Sequence, residues 1–246
     1  MRIIPITYQE AARAKNIFLA FFKKESPAEK EIFVHLPSVA KATVLKLTKE
    51  EFEADEGETK SIWFPDGKIK RMRLFGWGEK SKWNERKIPL VARRYVQHAK
   101  SEKIAEFVTT FDESFNMDKK KGAEVFSANA LMAQFEFNKY KEKPKGGWPE
   151  IKVIYLAVDK KDFPEVEKGI REGMIIGEEV NACRALANTP GSDMTPMLLA
   201  KAAMDVAKKS GMRAKILKEQ EIKRLGMGGV LGVARGSDEK PKFIIL

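Results

Sequence analysis

The sequence predicts an α/β fold: a mixed sheet flanked by helices in its first part, then a long helix and the first strand and helix elements of a second α/β domain. Three observations carry this prediction. Short apolar runs bounded by Gly, Pro and polar residues read as strands. Stretches with apolar residues three and four apart read as helices. The two kinds alternate along the chain, which is the pattern of a sheet covered by helices.

In order, "IFVHLP" and "TVLKLT" read as short strands, and "SIWFPDGKIKRMRLFGWG" as a hairpin. Its turn is Pro65-Asp66-Gly67, where Pro pre-sets one dihedral and Gly permits a positive one. Ile88, Val91, Ala92, Tyr95 and Ala99 then share one face of a predicted helix. "KIAEFVTTF" follows as a strand, and Ala123, Phe126, Ala130, Ala133, Phe137 and Tyr140 mark the buried face of the next helix. "KEKPKGGWP" is a loop and "IKVIYLAV" a strand.

From Phe163 to Asn188 the sequence reads as one long helix, with Val166, Ile170, Met174, Gly177 and Val180 on one side. Gly169, Gly173 and Gly177 recur four apart, each costing about 1 kcal/mol relative to Ala in a helix interior. Close approach of another backbone is the favoured explanation. The helix stops before Pro190, and a new one starts with Thr195 as cap and Pro196 in the first position. Leu199, Ala202, Ala203 and Val206 are expected inside, and Gly211 at the left-handed end. "RAKILK" (strand), "EQEIKRLG" (helix) and "KFIIL" (strand) complete the order, expected as a right-handed crossover between parallel strands. Phe243 to Leu246 is then an interior strand of a sheet still being built, because parallel strands are apolar on both faces.

Composition excludes several classes. Of the 246 residues, 43% are hydrophobic and 33% charged, a globular balance, and no apolar run approaches the roughly 20 residues that cross a bilayer. The opening residues have no apolar segment followed by a small-residue cleavage site, so a cytoplasmic location is expected. The lone Cys183 cannot form an internal disulfide. The net charge of +11 raises nucleic acid as a partner, but it is spread: 29 Lys and Arg against 22 Asp and Glu up to residue 150, and 17 against 13 after it. The one tight run, Lys119-Lys120-Lys121, reads as a solvated loop rather than a phosphate site.

Catalytic signals are sparse. His35 and His98 are far apart in sequence, no Cys or His cluster has metal-ligand spacing, and no serine elbow is present. His98 is expected to pack or lie at the surface, and Cys183 to be a small buried side chain in its helix. The stretch "LGMGGVLGVARGS" fits neither the dinucleotide fingerprint nor the P-loop and runs from helix to strand, so turns and close backbone packing are favoured.

Three segments carry a resemblance. "ALMAQFEFNKYK", "GEEVNACRALANTPGSDMTPMLLAKAA" and "LGMGGVLGVARGSDEKPKFIIL" resemble the leucyl aminopeptidase family of dinuclear metallopeptidases, in that family's order. The most specific piece is Arg184, Leu186, Asn188, Thr189 and Pro190 followed by Met194, Thr195 and Pro196. Next is Leu225 to Gly228, then Leu231 to Val233, then Gly236 and Ser237. The match of "GWGEKSKWNERKIPLVARRYVQHAK" is looser.

The resemblance implies a macro-like N-terminal α/β domain over residues 1–158, then a linker helix and the start of the catalytic domain over 159–246. It further implies a cytoplasmic, hexameric exopeptidase that uses two divalent ions, zinc or manganese, to remove N-terminal residues from peptides. The family's metal and catalytic residues all lie beyond the strand that corresponds to "KFIIL". No position here is therefore assigned as catalytic, cofactor-binding or metal-ligating, and the chain alone is expected to bind no metal and to be inactive. The alternative is a DNA-binding, regulatory or oligomerisation module derived from the N-terminal domain.

Overall fold

The computed structural model describes residues 1–111 and 117–246. It divides into two compact units, Met1–Asn181 and Ala182–Leu246.

The first unit is built on a six-stranded sheet in the order β1-β6-β5-β2-β4-β3. Its strands are β1 (Arg2–Ile6), β2 (Asn16–Phe21), β3 (Thr59–Trp63), β4 (Arg71–Gly76), β5 (Glu106–Thr110) and β6 (Val153–Ala157). Neighbours run parallel except β3, which pairs antiparallel with β4 at one edge. The hairpin expected around Pro65-Asp66-Gly67 is this β3–β4 pair, with Gly67 at φ 90°. The sheet is thus mixed and helix-flanked, as the sequence predicts.

β2 shows why the centre of the sheet is continuously apolar. Ile17, Leu19 and Phe21 enter the core on one face, and Phe18, Ala20 and Phe22 the core on the other. Helices α1 (Tyr8–Ala11), α2 (Glu31–His35) and α3 (Ser38–Glu50) contribute to the first core, and α4 (Ile88–Ser101) and α5 (Lys119–Gln134) to the second. On the α4 side Phe18 stacks on Phe107 at 4.4 Å, and Phe75 meets Tyr95 at 4.7 Å. Lys30, 6% exposed, is held by Glu25 at 2.7 Å, so its buried charge is compensated.

Several expectations need correction. "IFVHLP" and "TVLKLT" are not strands; they lie in α2 and α3. Ala40 and Val44 form a buried stripe four apart, and the hydroxyls of Thr43 and Thr48 donate to the carbonyls of Val39 and Val44, so the β-branched residues sit in a helix without orphaned polar groups. α5 stops at Gln134, short of Phe137 and Tyr140, because Phe135 turns extended. There the Gln134 side chain accepts from the backbone N–H of Ile151 and donates to its carbonyl, both at 3.0 Å. Lys119, Lys120 and Lys121 form the first turn of α5 rather than a loop, and pair with Asp162, Glu172 and Glu124.

The long helix α6 spans Phe163–Asn188. Gly169 and Gly173 meet the backbone of α5 so closely that an added Cβ would lie 2.1 Å from the Lys120 carbonyl oxygen and 2.2 Å from that of Glu124. The glycine stripe is a helix–helix contact.

In the second unit, α7 (Pro196–Ser210) is capped by Thr195, whose hydroxyl accepts from the N–H of Leu198, and is closed by Gly211 at φ 72°. Its buried residues are Ala200 and Ala207; Leu199 and Val206 are more than 40% exposed, so the inner face is rotated from the expected one. β7 (Lys215–Leu217) and β8 (Phe243–Ile245) pair antiparallel, not parallel. Between them lie α8 (Glu219–Arg224) and α9 (Gly228–Ala234), so the link is not a single crossover helix. β8 is not an interior strand in this structure, since Phe243 and Ile245 are exposed and only Ile244 is half-buried.

Candidate functional site

The residues singled out by the sequence fall in separate places. His98, on α4, is packed between Phe18 and Phe75 with ring centroids 5.6 and 5.7 Å away. Burial first, then the positive charge of Arg73, lowers its pKa from the ordinary 6.5 to about 4, so it is neutral at physiological pH. His35 closes α2 and is exposed. Cys183 is exposed, not buried, since the last turns of α6 carry it to the surface of the described chain.

The Gly-rich stretch is neither a phosphate cradle nor a close-packed turn: Gly228 to Ala234 form α9, and a Cβ on Gly228, Gly229 or Gly232 would meet nothing within 4 Å. A shallow apolar groove of about 480 Å³ runs between Pro196, Val230, Val233 and Pro241, and Val233 is 90% exposed. The Asn188-to-Thr195 stop and start is tied locally. Thr189 donates its hydroxyl to Ala185, and the N–H groups of Asp193 and Met194 both reach the Pro190 carbonyl.

Two clefts in the first unit contain polar side chains that sequence spacing did not bring together. One, about 310 Å³, lies at the carboxyl end of β2, the end where open α/β sheets bind ligands. Lys24 and Ala54 line it with left-handed backbone at φ 62° and 60°. The other, about 400 Å³, lies beside the β3–β4 edge and is lined by Arg73, Arg94, Gln97 and His98. Arg73 was invisible as a site residue because only hairpin pairing sets it opposite Ser61.

Among the described residues no three His, Cys, Asp or Glu side chains gather where they could hold a metal ion.

The fold defines a two-unit α/β chain in which a mixed sheet is followed by a long helix and a further set of strands and helices. A model of the cytosol aminopeptidase family's N-terminal domain matches residues 18–144, and a model of that family's catalytic domain matches residues 181–246. The chain belongs to the cytosol aminopeptidase family.

It is 26% identical over 242 residues to a probable cytosol aminopeptidase of Bacillus subtilis, covering 97% of this chain and 48% of that one. A probable cytosol aminopeptidase of Acidobacterium capsulatum is 29% identical over 202 residues, covering 81% of this chain and 39% of its own length. The chain thus spans about half the length, or less, of the curated relatives it matches. Among solved structures, a mutant tomato leucine aminopeptidase aligns over 99% of this chain and 50% of its own, with a TM-score of 0.80 at 20% identity. The bottromycin maturation enzyme BotP in complex with Mn aligns over 94% of this chain and 44% of its own, with a TM-score of 0.71 at 16% identity. At these identities the two structures share the fold.

Proposed function

We propose that the chain is the N-terminal part of a leucyl aminopeptidase, an exopeptidase that uses two divalent ions, zinc or manganese, to release N-terminal amino acids from peptides. Residues 1–158 form its N-terminal domain, and 159–246 its linker helix and the start of its catalytic domain. The observation that carries this reading is the pair of family matches, N-terminal domain then catalytic domain, in order along one chain. The names of the relatives support a cytoplasmic location, and no helix of the described residues is long and apolar enough to cross a membrane. The family resemblance supports a hexamer for the longer protein. In the family the ions polarise the peptide carbonyl and supply the attacking water.

These 246 residues contribute the scaffold and not the ligands. Leucine p-nitroanilide hydrolysis by the purified chain, with manganese or zinc added, is expected at the background rate. Hydrolysis above background that a chelator abolishes would overturn this part of the reading.

A further inference from the structure

The cleft beside the β3–β4 edge combines features that a purely structural groove lacks. On that face of the hairpin, Arg73 donates to Thr59 Oγ1 at 2.6 Å and to the Ser61 hydroxyl, both neutral partners. Arg94 lies over the Trp77 ring at 5.0 Å. Neither arginine has a carboxylate ion-pair partner among the described residues, whereas the neighbouring Arg71 is paired with Glu102 at 3.2 Å. Nε of Arg73 and Nε2 of His98 are buried and have no hydrogen-bond partner among the described residues. Both atoms are shielded from solvent and belong to the cleft wall; what the cleft offers an anion is the N–H groups of the two guanidinium ends that Thr59 and Ser61 do not engage. The one carboxylate in the lining, Glu58, has an oxygen engaged by the N–H of Asp55 at 3.0 Å.

Two guanidinium groups without carboxylate partners, with a neutral imidazole between sheet and helix, match a doubly charged tetrahedral anion better than a carboxylate, because each guanidinium is a full cation with several donors. The volume of about 400 Å³ has room for a phosphate and a small organic group attached to it. We propose that this cleft binds a phosphate group, free or carried by a small monoester, between Arg73 and Arg94 and beside His98. His98 then reports occupancy. Its imidazolium form is disfavoured by burial, Arg73 and Arg71 and favoured only by Glu102, so a bound dianion raises its pKa from about 4.

The test is titration calorimetry of the 246-residue chain in a low-chloride buffer with inorganic phosphate, glycerol phosphate and acetate as separate probes. NMR of the two histidine rings accompanies it, with His35→Gln assigning the signals. Saturable one-site phosphate binding is expected, weakened about tenfold or more by Arg73→Gln and by Arg94→Gln and unchanged by Lys240→Gln, together with a raised His98 pKa in the saturated protein. If Arg73→Gln no longer melts cooperatively, Arg94→Gln, on the helix side of the cleft, decides. Tighter binding of glycerol phosphate identifies a monoester ligand, and equal or weaker binding identifies free phosphate. Absence of saturation, unchanged binding in Arg94→Gln, an unmoved His98 signal, or acetate binding as well as phosphate would overturn the proposal.

Discussion

His98 illustrates how one side chain ties stability to pH. Its ring sits between Phe18 and Phe75, and its pKa falls from 6.5 to about 4. Between those values the unfolded chain binds a proton that the folded chain refuses. Stability is therefore undiminished above the ordinary pKa and declines as pH falls below it, until the folded imidazole also protonates. At about pH 5 the loss is on the order of 1 kcal/mol, since solvent screening of the half-buried ring reduces the full linkage value. Thermal melts of wild type and His98→Gln should diverge in this sense: the wild type loses more stability between neutral pH and pH 5, and equal losses would count against the assignment. The sequence left His98 either packed or at the surface, because a histidine without a spaced partner is rarely a ligand, and the contacts with Phe18 and Phe75 decide for packing. Its place beside Arg73 was not legible in the sequence, because the two are brought together only when α4 packs over the hairpin.

At the scale of elements, the α5–α6 contact is set by three missing side chains. A Cβ at Gly173 would approach the Glu124 carbonyl oxygen to 2.2 Å and the Ala128 nitrogen to 3.0 Å, and both are helical backbone that cannot turn aside. Gly173→Ala gains about 1 kcal/mol in helix propensity but forces the helices apart, for a net loss of about 2 kcal/mol. A lower urea midpoint with unchanged slope is the expected reading. Gly177→Ala should lose less, because its nearest contacts, at 3.0 Å, include the side chain of Leu131. The four-residue glycine spacing announced this contact in the sequence. Other elements were hidden: the β-branched residues of "TVLKLT" read as a strand, yet burial of Ala40 and Val44 on one helical stripe overrides that preference. The pairing sense of β7 and β8 was also hidden, since it depends on how the chain returns through α8 and α9.

At the scale of the whole molecule, the two units are expected to differ in local stability. β2 and β5 lie inside a six-stranded sheet between two cores, whereas β7 and β8 are three residues each in a two-stranded pair. An isolated pair of that size is marginal in water. Native-state hydrogen exchange should show the amides of β2 and β5 opening only with global unfolding, and those of β7 and β8 exchanging earlier through local opening. Equal protection in the two sheets would contradict this. The sequence carried the class of both units through strand and helix alternation and the family through the ordered motifs. It could not carry the phosphate cleft, whose members are scattered from Thr59 to His98. The paired hydrogen bonds from the Gln134 amide to Ile151 fasten the neck of residues 135–150 much as a clasp closes a necklace. The 16 residues beyond that clasp can be lengthened with a tag or reporter, for each doubling of a loop costs only about 0.6 kcal/mol and the helix and strand on either side stay fastened.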